Sequence, residues 1–205
     1  EWKTLYLFSN GRSNDVTLSL LDVTTRSFTE NTSKNPMTET DPANLVIWEA
    51  NNTDIPELGN ALTVPGIILY DETPGVAGGF ESISLLPNSY NSSDDKACLI
   101  AIPNETKTSW DVNSDYYLIC DPKSSGDAAL TVRAVDSNGD GMADYIYLTT
   151  AKGKILRINL KDPDGKNKAP IDWEVNKTVA TLDRPILTKP LIVKPARSAV
   201  GITKS

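Results

Sequence analysis

One nine-residue stretch constrains this chain more than any other, because it places oxygen-bearing side chains at alternate positions. It reads Asp-Ser-Asn-Gly-Asp-Gly-Met-Ala-Asp and covers residues 136–144, which we call the acidic loop. Asp136, Asn138 and Asp140 occupy positions 1, 3 and 5, and Asp144 occupies position 9. Hard oxygen ligands at this spacing suit Ca2+, which binds about six to eight oxygens.

The remaining positions of the acidic loop refine this prediction. Gly141 stands at position 6, where calcium loops turn sharply, and Met142 at position 7 offers only its backbone carbonyl. Position 12 is Tyr147 rather than Glu, so this is not a full EF-hand, and Asp144 has to complete the coordination directly or through water. The alternative is a solvated acidic turn, although such closely spaced like charges repel without a cation. The predicted calcium ligands are Asp136, Asn138, Asp140, Met142 and Asp144.

The residues around the acidic loop predict strands. Residues 128–135 and 145–150 are rich in β-branched, aromatic and apolar side chains and are bounded by turn formers. The ion is therefore expected to hold a turn between two neighbouring strands.

Composition excludes several classes of function. The 205 residues suffice for one or two domains, and a net charge of -7 argues against a nucleic-acid partner. The chain has no histidine, which removes Ser-His-Asp and Cys-His catalysis, and we expect a protein that is not an enzyme. The chain contains no run of 18 apolar residues, so the sequence predicts no membrane span. The chain begins at Glu1 rather than Met, which predicts a mature or excised piece of a longer protein.

Two cysteines, Cys98 and Cys120, lie in or at the end of apolar runs. A disulfide between neighbouring strands in an oxidising compartment and two buried free thiols are both compatible with this spacing.

The whole chain, residues 1–205, reads as a single all-β domain or fragment. No segment keeps a 3.6-residue apolar period for long, and short strand-like runs alternate with turn signals. The first two runs predict a hairpin, residues 24–44 a long polar loop, and residues 194–205 a polar tail. The predicted strands are 2–8, 16–23, 45–49, 62–70, 80–86, 97–102, 116–120, 128–135, 145–150, 153–160, 173–175, 186–188 and 191–193.

An internal repeat indicates the architecture. Residues 48–53 match 173–178, and residues 62–67 match 187–192, both at an offset of 125. A middle copy of the second motif begins at Leu130. About three repeats near the length of a four-stranded blade predict β-propeller-like blades, as part of a larger or modified propeller.

Two segments carry a resemblance to a known family. Residues 134–147, followed by Gly-Lys-Ile-Leu-Arg-Ile-Asn-Leu at 153–160, resemble the C-terminal propeller of the PilY1/PilC family of type IV pilus tip-associated proteins. Residues 20–24, 48–49 and 88–92 are similar to other blades of that domain. Asn159 replaces the family's Asp, the glycine-rich blade start is reduced to residues 9–12, and the von Willebrand-like N-terminal region is missing.

The resemblance implies a function that the residues alone do not give. It implies a calcium-binding adhesin or biogenesis factor that regulates pilus extension and retraction, twitching motility and surface attachment. Its partners would be pilins or minor pilins and a host or abiotic surface, at the pilus tip or cell surface, with outer-membrane-associated or periplasmic locations as alternatives. The other hypotheses are a secreted structural module with a stabilising calcium site and a quinoprotein-like propeller enzyme.

Overall fold

The computed structural model of this chain describes residues 5–10, 16–22, 28–30, 37–39, 46–60, 64–71 and 80–193. These residues form β-strands and one short 3-10 helix, Pro170–Asp172. None of the described helical structure has the length and hydrophobicity needed to cross a lipid bilayer. The strands are β1 (Leu5–Asn10), β2 (Thr17–Asp22), β3 (Phe28–Glu30), β4 (Met37–Glu39), β5 (Val46–Asn51), β6 (Gly66–Asp71), β7 (Phe80–Pro87), β8 (Cys98–Pro103), β9 (Tyr117–Cys120), β10 (Ala129–Val135), β11 (Tyr145–Thr150), β12 (Lys154–Asn159) and β13 (Val175–Thr181).

Sequential antiparallel pairing organises these strands into three main sheets. The first sheet has the order β1-β2-β5, the middle sheet β6-β7-β8-β9 and the last sheet β10-β11-β12-β13. The hairpin of β3 and β4 is inserted between the second and third strands of the first sheet. Each main sheet is thus an up-and-down meander, as in a propeller blade.

The middle sheet is covered on both faces along β8. In β8, Leu99 and Ala101 pack into the core shared with the last sheet, while Ile100 and Ile102 pack into the core shared with the first sheet. All four side chains are fully buried. A strand covered on both sides has to be apolar throughout, which explains the uninterrupted run Cys-Leu-Ile-Ala-Ile at its start.

The two outer sheets each supply one apolar face. Leu18, Leu20 and Trp48 of the first sheet meet the middle sheet on one side. Ile146 and Leu156 of the last sheet meet it on the other. The three main sheets, one of three strands and two of four, pack face to face in chain order. This confirms the prediction of an all-β chain with propeller-like blades.

Asn88 is a buried polar side chain that ties the three sheets together. Its Oδ1 accepts hydrogen bonds from the amides of Cys98 at 3.0 Å and Ala129 at 3.1 Å, and its carbonyl accepts one from Gly59 at 2.8 Å. Gly59 has to be glycine, because a Cβ there would lie 2.4 Å from the Asn88 carbonyl. The end of β7, the start of β10 and the segment after β5 are therefore fixed to one point.

The repeated tryptophans have equivalent packing roles. Trp48 packs edge to face against Trp110, with ring centroids 5.6 Å apart, and Trp173 packs in the same way against Tyr70 at 5.5 Å. Both tryptophans are buried and lie in, or just before, the final strand of their sheet. The offset of 125 therefore marks the same position in the first and the last of the three sheets.

Besides β13, which covers Val175–Thr181 where only 173–175 was predicted, the structure differs from the sequence-based strands in three places. The polar loop predicted over 24–44 contains the β3–β4 hairpin, and its other residues, like the tail 194–205, lie outside the described residues. The strands predicted at 186–188 and 191–193 are irregular, with Leu187 and Leu191 exposed by 69% and 85%. No described strand pairs with these segments, and a β-strand needs a neighbour for its backbone hydrogen bonds.

A disulfide closes the middle sheet. Cys98 of β8 lies directly opposite Cys120 of β9, with their Cα atoms 4.0 Å apart, and the two sulfurs are bonded. The two cysteines are 22 residues apart in the sequence, and this separation sets the length of the loop that the bridge closes.

We expect the double variant Cys98→Ser with Cys120→Ser to fold but to lose about 3 kcal/mol of unfolding free energy, because the unfolded chain gains loop entropy. Urea unfolding followed by tryptophan fluorescence measures this, with the wild type under oxidising conditions as reference. An unchanged denaturation midpoint would contradict a stabilising role for the bridge.

Candidate metal centre

The acidic loop connects β10 and β11 at one end of the last sheet. The amide of Asp144 donates to the carbonyl of Val135 at 2.8 Å, and the amide of Leu160 donates to the carbonyl of Asp144 at 3.0 Å. The hairpin and the end of β12 therefore close the base of the loop, so its two ends are fixed by the sheet.

Asp136 organises the backbone of the loop. Its Oδ1 accepts from the amides of Gly139 at 2.6 Å and Asn138 at 3.2 Å, and its Oδ2 accepts from the amide of Gly141 at 2.8 Å. The backbone hydrogen bonds from Gly139 and Gly141 hold the pKa of this exposed carboxyl group below its usual value. The first predicted ligand is thus ionised and oriented by the loop itself.

The next two predicted ligands repeat this pattern. Asn138 Oδ1 accepts from the amide of Asp140 at 3.1 Å, and Asp140 Oδ1 accepts from the amide of Met142 at 2.8 Å. Asn138 Nδ2 also donates to Asp140 Oδ2 at 2.7 Å. These are successive Asx turns, in which each side chain caps the backbone two residues further on. Met142 is half-buried, and its carbonyl is the only oxygen it offers.

Two glycines allow the loop to turn. Gly139 and Gly141 have φ angles of 88° and 89°, in the left-handed region that side chains disfavour. A Cβ at either position would meet no atom within 4 Å, so the requirement for glycine is conformational. This agrees with the sequence-based expectation of a sharp turn at Gly141.

Asp144 differs from the other carboxylates because it is buried, with 4% of its surface exposed. Its Oδ2 accepts from the Ser137 amide at 2.7 Å and from the Ser137 hydroxyl, and its Oδ1 pairs with Lys161 Nζ. Burial raises the pKa of Asp144, but the hydrogen bonds from Lys161 and Ser137 outweigh it, and the net pKa lies below the usual value. At neutral pH the carboxylate is therefore charged, and both of its oxygens have partners in Ser137 and Lys161.

Lys161 is the residue of this site that sequence reasoning missed. Its ammonium contacts Asp144 and lies 3.8 Å from Asp140 Oδ2. The hydrogen bond with Asp144 raises the pKa of Lys161 despite the opposing effect of burial. Only the antiparallel register of β11 on β12, with Tyr145 opposite Asn159, brings this lysine back to the loop.

The residues present fit a calcium ion by the chemistry of their donors, although the carboxylate oxygens of Asp136, Asp140 and Asp144 do not all lie within 4.8 Å of one another. The predicted side chains supply hard oxygens from one loop, and an ammonium already sits where Asp140 and Asp144 face the same point. Positive charge is thus stabilised there by the chain's own carboxylates. Each carboxylate has further lone pairs beyond the backbone hydrogen bonds it accepts.

Two other groups that resemble metal sites have structural explanations. The carboxylate of Asp94 and the sulfurs of Cys98 and Cys120 lie within 4.8 Å of one another, but the disulfide removes both sulfurs as thiolate ligands. Asp162, in the turn after β12, accepts from the amides of Asp164 at 2.9 Å and Lys166 at 2.8 Å. It serves as a turn residue.

Comparison with solved structures shows what fold this chain resembles. The fold matches the crystal structure of the Pseudomonas aeruginosa PilY1 C-terminal domain with a TM-score of 0.56, at 24% sequence identity over 85% of this chain. The chain has a PilY1-like fold. This chain spans 32% of the length of the chain in that structure. No protein-family model matches the sequence, and no curated protein matches it.

We expect Asp144→Asn to cost about 1–3 kcal/mol of unfolding free energy at pH 7 in calcium-free buffer, because it removes charge-assisted hydrogen bonds from a buried group. A lowered folded pKa stabilises the protein above the unfolded pKa, near 3.8, and this contribution disappears as pH falls through the folded pKa. The difference from wild type should therefore shrink at pH 3.

Urea unfolding at both pH values measures this effect. Asp140→Asn is the matched control, because Asp140 is exposed and we expect it to cost less than about 1 kcal/mol. An equal loss for Asp144→Asn at pH 7 and pH 3 would show that its charge is not what stabilises the loop.

Proposed function

We propose that this chain is a calcium-binding, propeller-type module of a type IV pilus-associated adhesin or biogenesis factor. The observation that carries the proposal is the PilY1-like fold over 85% of the chain. The acidic loop adds a chemical reason, since its donors are those that calcium prefers. In this proposal the module acts by binding and assembly and has no catalytic role.

The residues that would hold the ion are Asp136, Asn138, Asp140 and Asp144 through side-chain oxygens, and Met142 through its carbonyl. A bound calcium ion would supply a divalent charge that neutralises and cross-links these oxygens. The chain prepares them in advance, because Asp136 is fixed by three backbone amides and Asp144 by Ser137. Few conformational degrees of freedom are then lost on binding.

The position of the loop links it to the packing of two sheets. Ala143 is buried in the core shared by the middle and last sheets, and its amide lies 3.5 Å from the carbonyl of Leu69 in β6. Binding that orders residues 136–144 would therefore also steady the contact between β6 and the β10–β11 hairpin. We propose that this is how calcium controls the surface presented to pilins or minor pilins.

The disulfide supports an extracytoplasmic location. Structural disulfides form and persist in oxidising compartments, and the Cys98–Cys120 bridge is of this kind. We propose the cell surface or pilus tip as the place of action, with attachment to host or abiotic surfaces and control of extension, retraction and twitching as the outcome.

Calcium should raise the melting temperature of the wild-type chain relative to chelator. At a free calcium concentration 100 times the Kd, the added stability is about 2.7 kcal/mol. Asp140→Ala should abolish this shift, whereas Asp164→Ala, an exposed carboxylate in the neighbouring turn, should preserve it. Identical melting of the wild type with calcium and with chelator would reject the calcium site.

The pilus role has a separate test. Tagged wild-type protein, expressed in a bacterium with type IV pili that naturally encodes it, should co-purify with pilins or minor pilins in calcium, and less of them should be recovered with Asp140→Ala. A deletion strain should lose twitching, which the wild-type gene restores. Calcium binding without any pilin association or twitching defect would favour a secreted module that uses the ion for stability only.

A further inference from the structure

Lys161 sits where the last sheet meets the acidic loop. The hydrogen bond from the Leu160 amide to the Asp144 carbonyl fixes the backbone immediately before it, and Lys161 itself forms an antiparallel bridge with Asn167. Its side chain is 24% exposed, and Nζ contacts Asp144 Oδ1 and lies 3.8 Å from Asp140 Oδ2. The lysine backbone is thus held firmly while its ammonium reaches into the predicted ligand set.

This ammonium offsets part of the negative charge of the acidic loop in the described structure. Three aspartates lie within nine residues, and among the described residues Lys161 is the cationic side chain that forms an ion pair with them. Without a positive charge, these carboxylates would repel one another and the loop would be less stable. Lysine suits this role because its ammonium group is a compact charge at the end of a flexible side chain.

We propose that Lys161 is a tethered counterion that competes with calcium for Asp144 and Asp140 and so sets the calcium concentration at which the loop fills. This inference rests on the proposed calcium site. An ion that uses the Asp144 Oδ1 lone pairs has to displace the ammonium, and the partial exposure of Lys161 gives the ammonium a route to solvent. Calcium binds only where the free energy of its coordination by several oxygens exceeds the free energy lost with the Lys161 ion pair.

Competition has a consequence that a purely structural lysine would not produce. If the ion pair exists only in the calcium-free form, deleting the ammonium weakens that form and leaves the bound form unaffected. A single substitution should then lower stability in chelator and tighten calcium binding. The two effects are linked, because both measure the same coupling free energy.

Isothermal titration calorimetry with CaCl2 and urea unfolding in chelator test this on the intact chain. Lys161→Met should lower the calcium Kd about tenfold, within the usual range of coupling between competing interactions. It should also lower the urea midpoint without calcium. Lys161→Arg, which keeps the charge, should bind calcium as weakly as the wild type.

Lys166→Met is the matched control, since Lys166 is an exposed lysine in the adjoining turn and its removal changes net charge equally. It should change the Kd less than about twofold if long-range charge effects are weak. Lys161→Gln serves if Lys161→Met does not fold, because its amide can still donate to Asp144 without a charge.

The outcomes separate this inference from the calcium function. No binding by the wild type or by any variant would reject the calcium site itself. Calcium binding with equal Kd in the wild type and both neutral Lys161 variants would reject only the counterion role. Weaker binding by the neutral variants would also overturn it, because Lys161 would then be orienting Asp144 for the ion.

Discussion

The double-sided burial of the middle sheet is the constraint on which the rest of this structure depends. Its strand β8 sends Leu99 and Ala101 into one core and Ile100 and Ile102 into the other, so both the first and the last sheet have to cover it. The buried side chain of Asn88 satisfies backbone amides on both sides of the join between the middle and last sheets and also donates to the carbonyl of Lys96. The sheets stack in chain order, as is usual for elements that follow one another in the sequence.

The packing of the sheets also fixes the conformation of the acidic loop at its base. Ala143 is part of the core, Asp144 is buried beside it, and the preceding residues are wrapped around Asp136. The loop therefore combines a fixed base with an exposed tip. Its negative charge is partly offset by Lys161, which follows the end of β12, so electrostatics and sheet register are coupled at this end of the molecule.

Patterns within one segment were predictable from sequence, and relationships between segments were not. β8, β11 and β12 follow from their apolar residues, and the turn at Gly141 follows from its type. β13 was mostly missed beyond Val175, because this edge strand is largely exposed and reads as polar. Residues 191–193 were wrongly predicted as a strand, since composition cannot reveal whether a partner strand exists. Lys161 was missed because the register, rather than proximity in the chain, brings it to Asp144.

The Cys98–Cys120 bridge also has a mechanical meaning. When an antiparallel meander is pulled from its termini, strands peel away one after another and the chain lengthens at each step. A covalent link across β8 and β9 withholds the 22-residue interval between its sulfurs from that process, which is about 75 Å of extended chain. Tension would bypass this interval through the sulfur atoms, and β9 would remain tethered to β8 even after its neighbours had been drawn out.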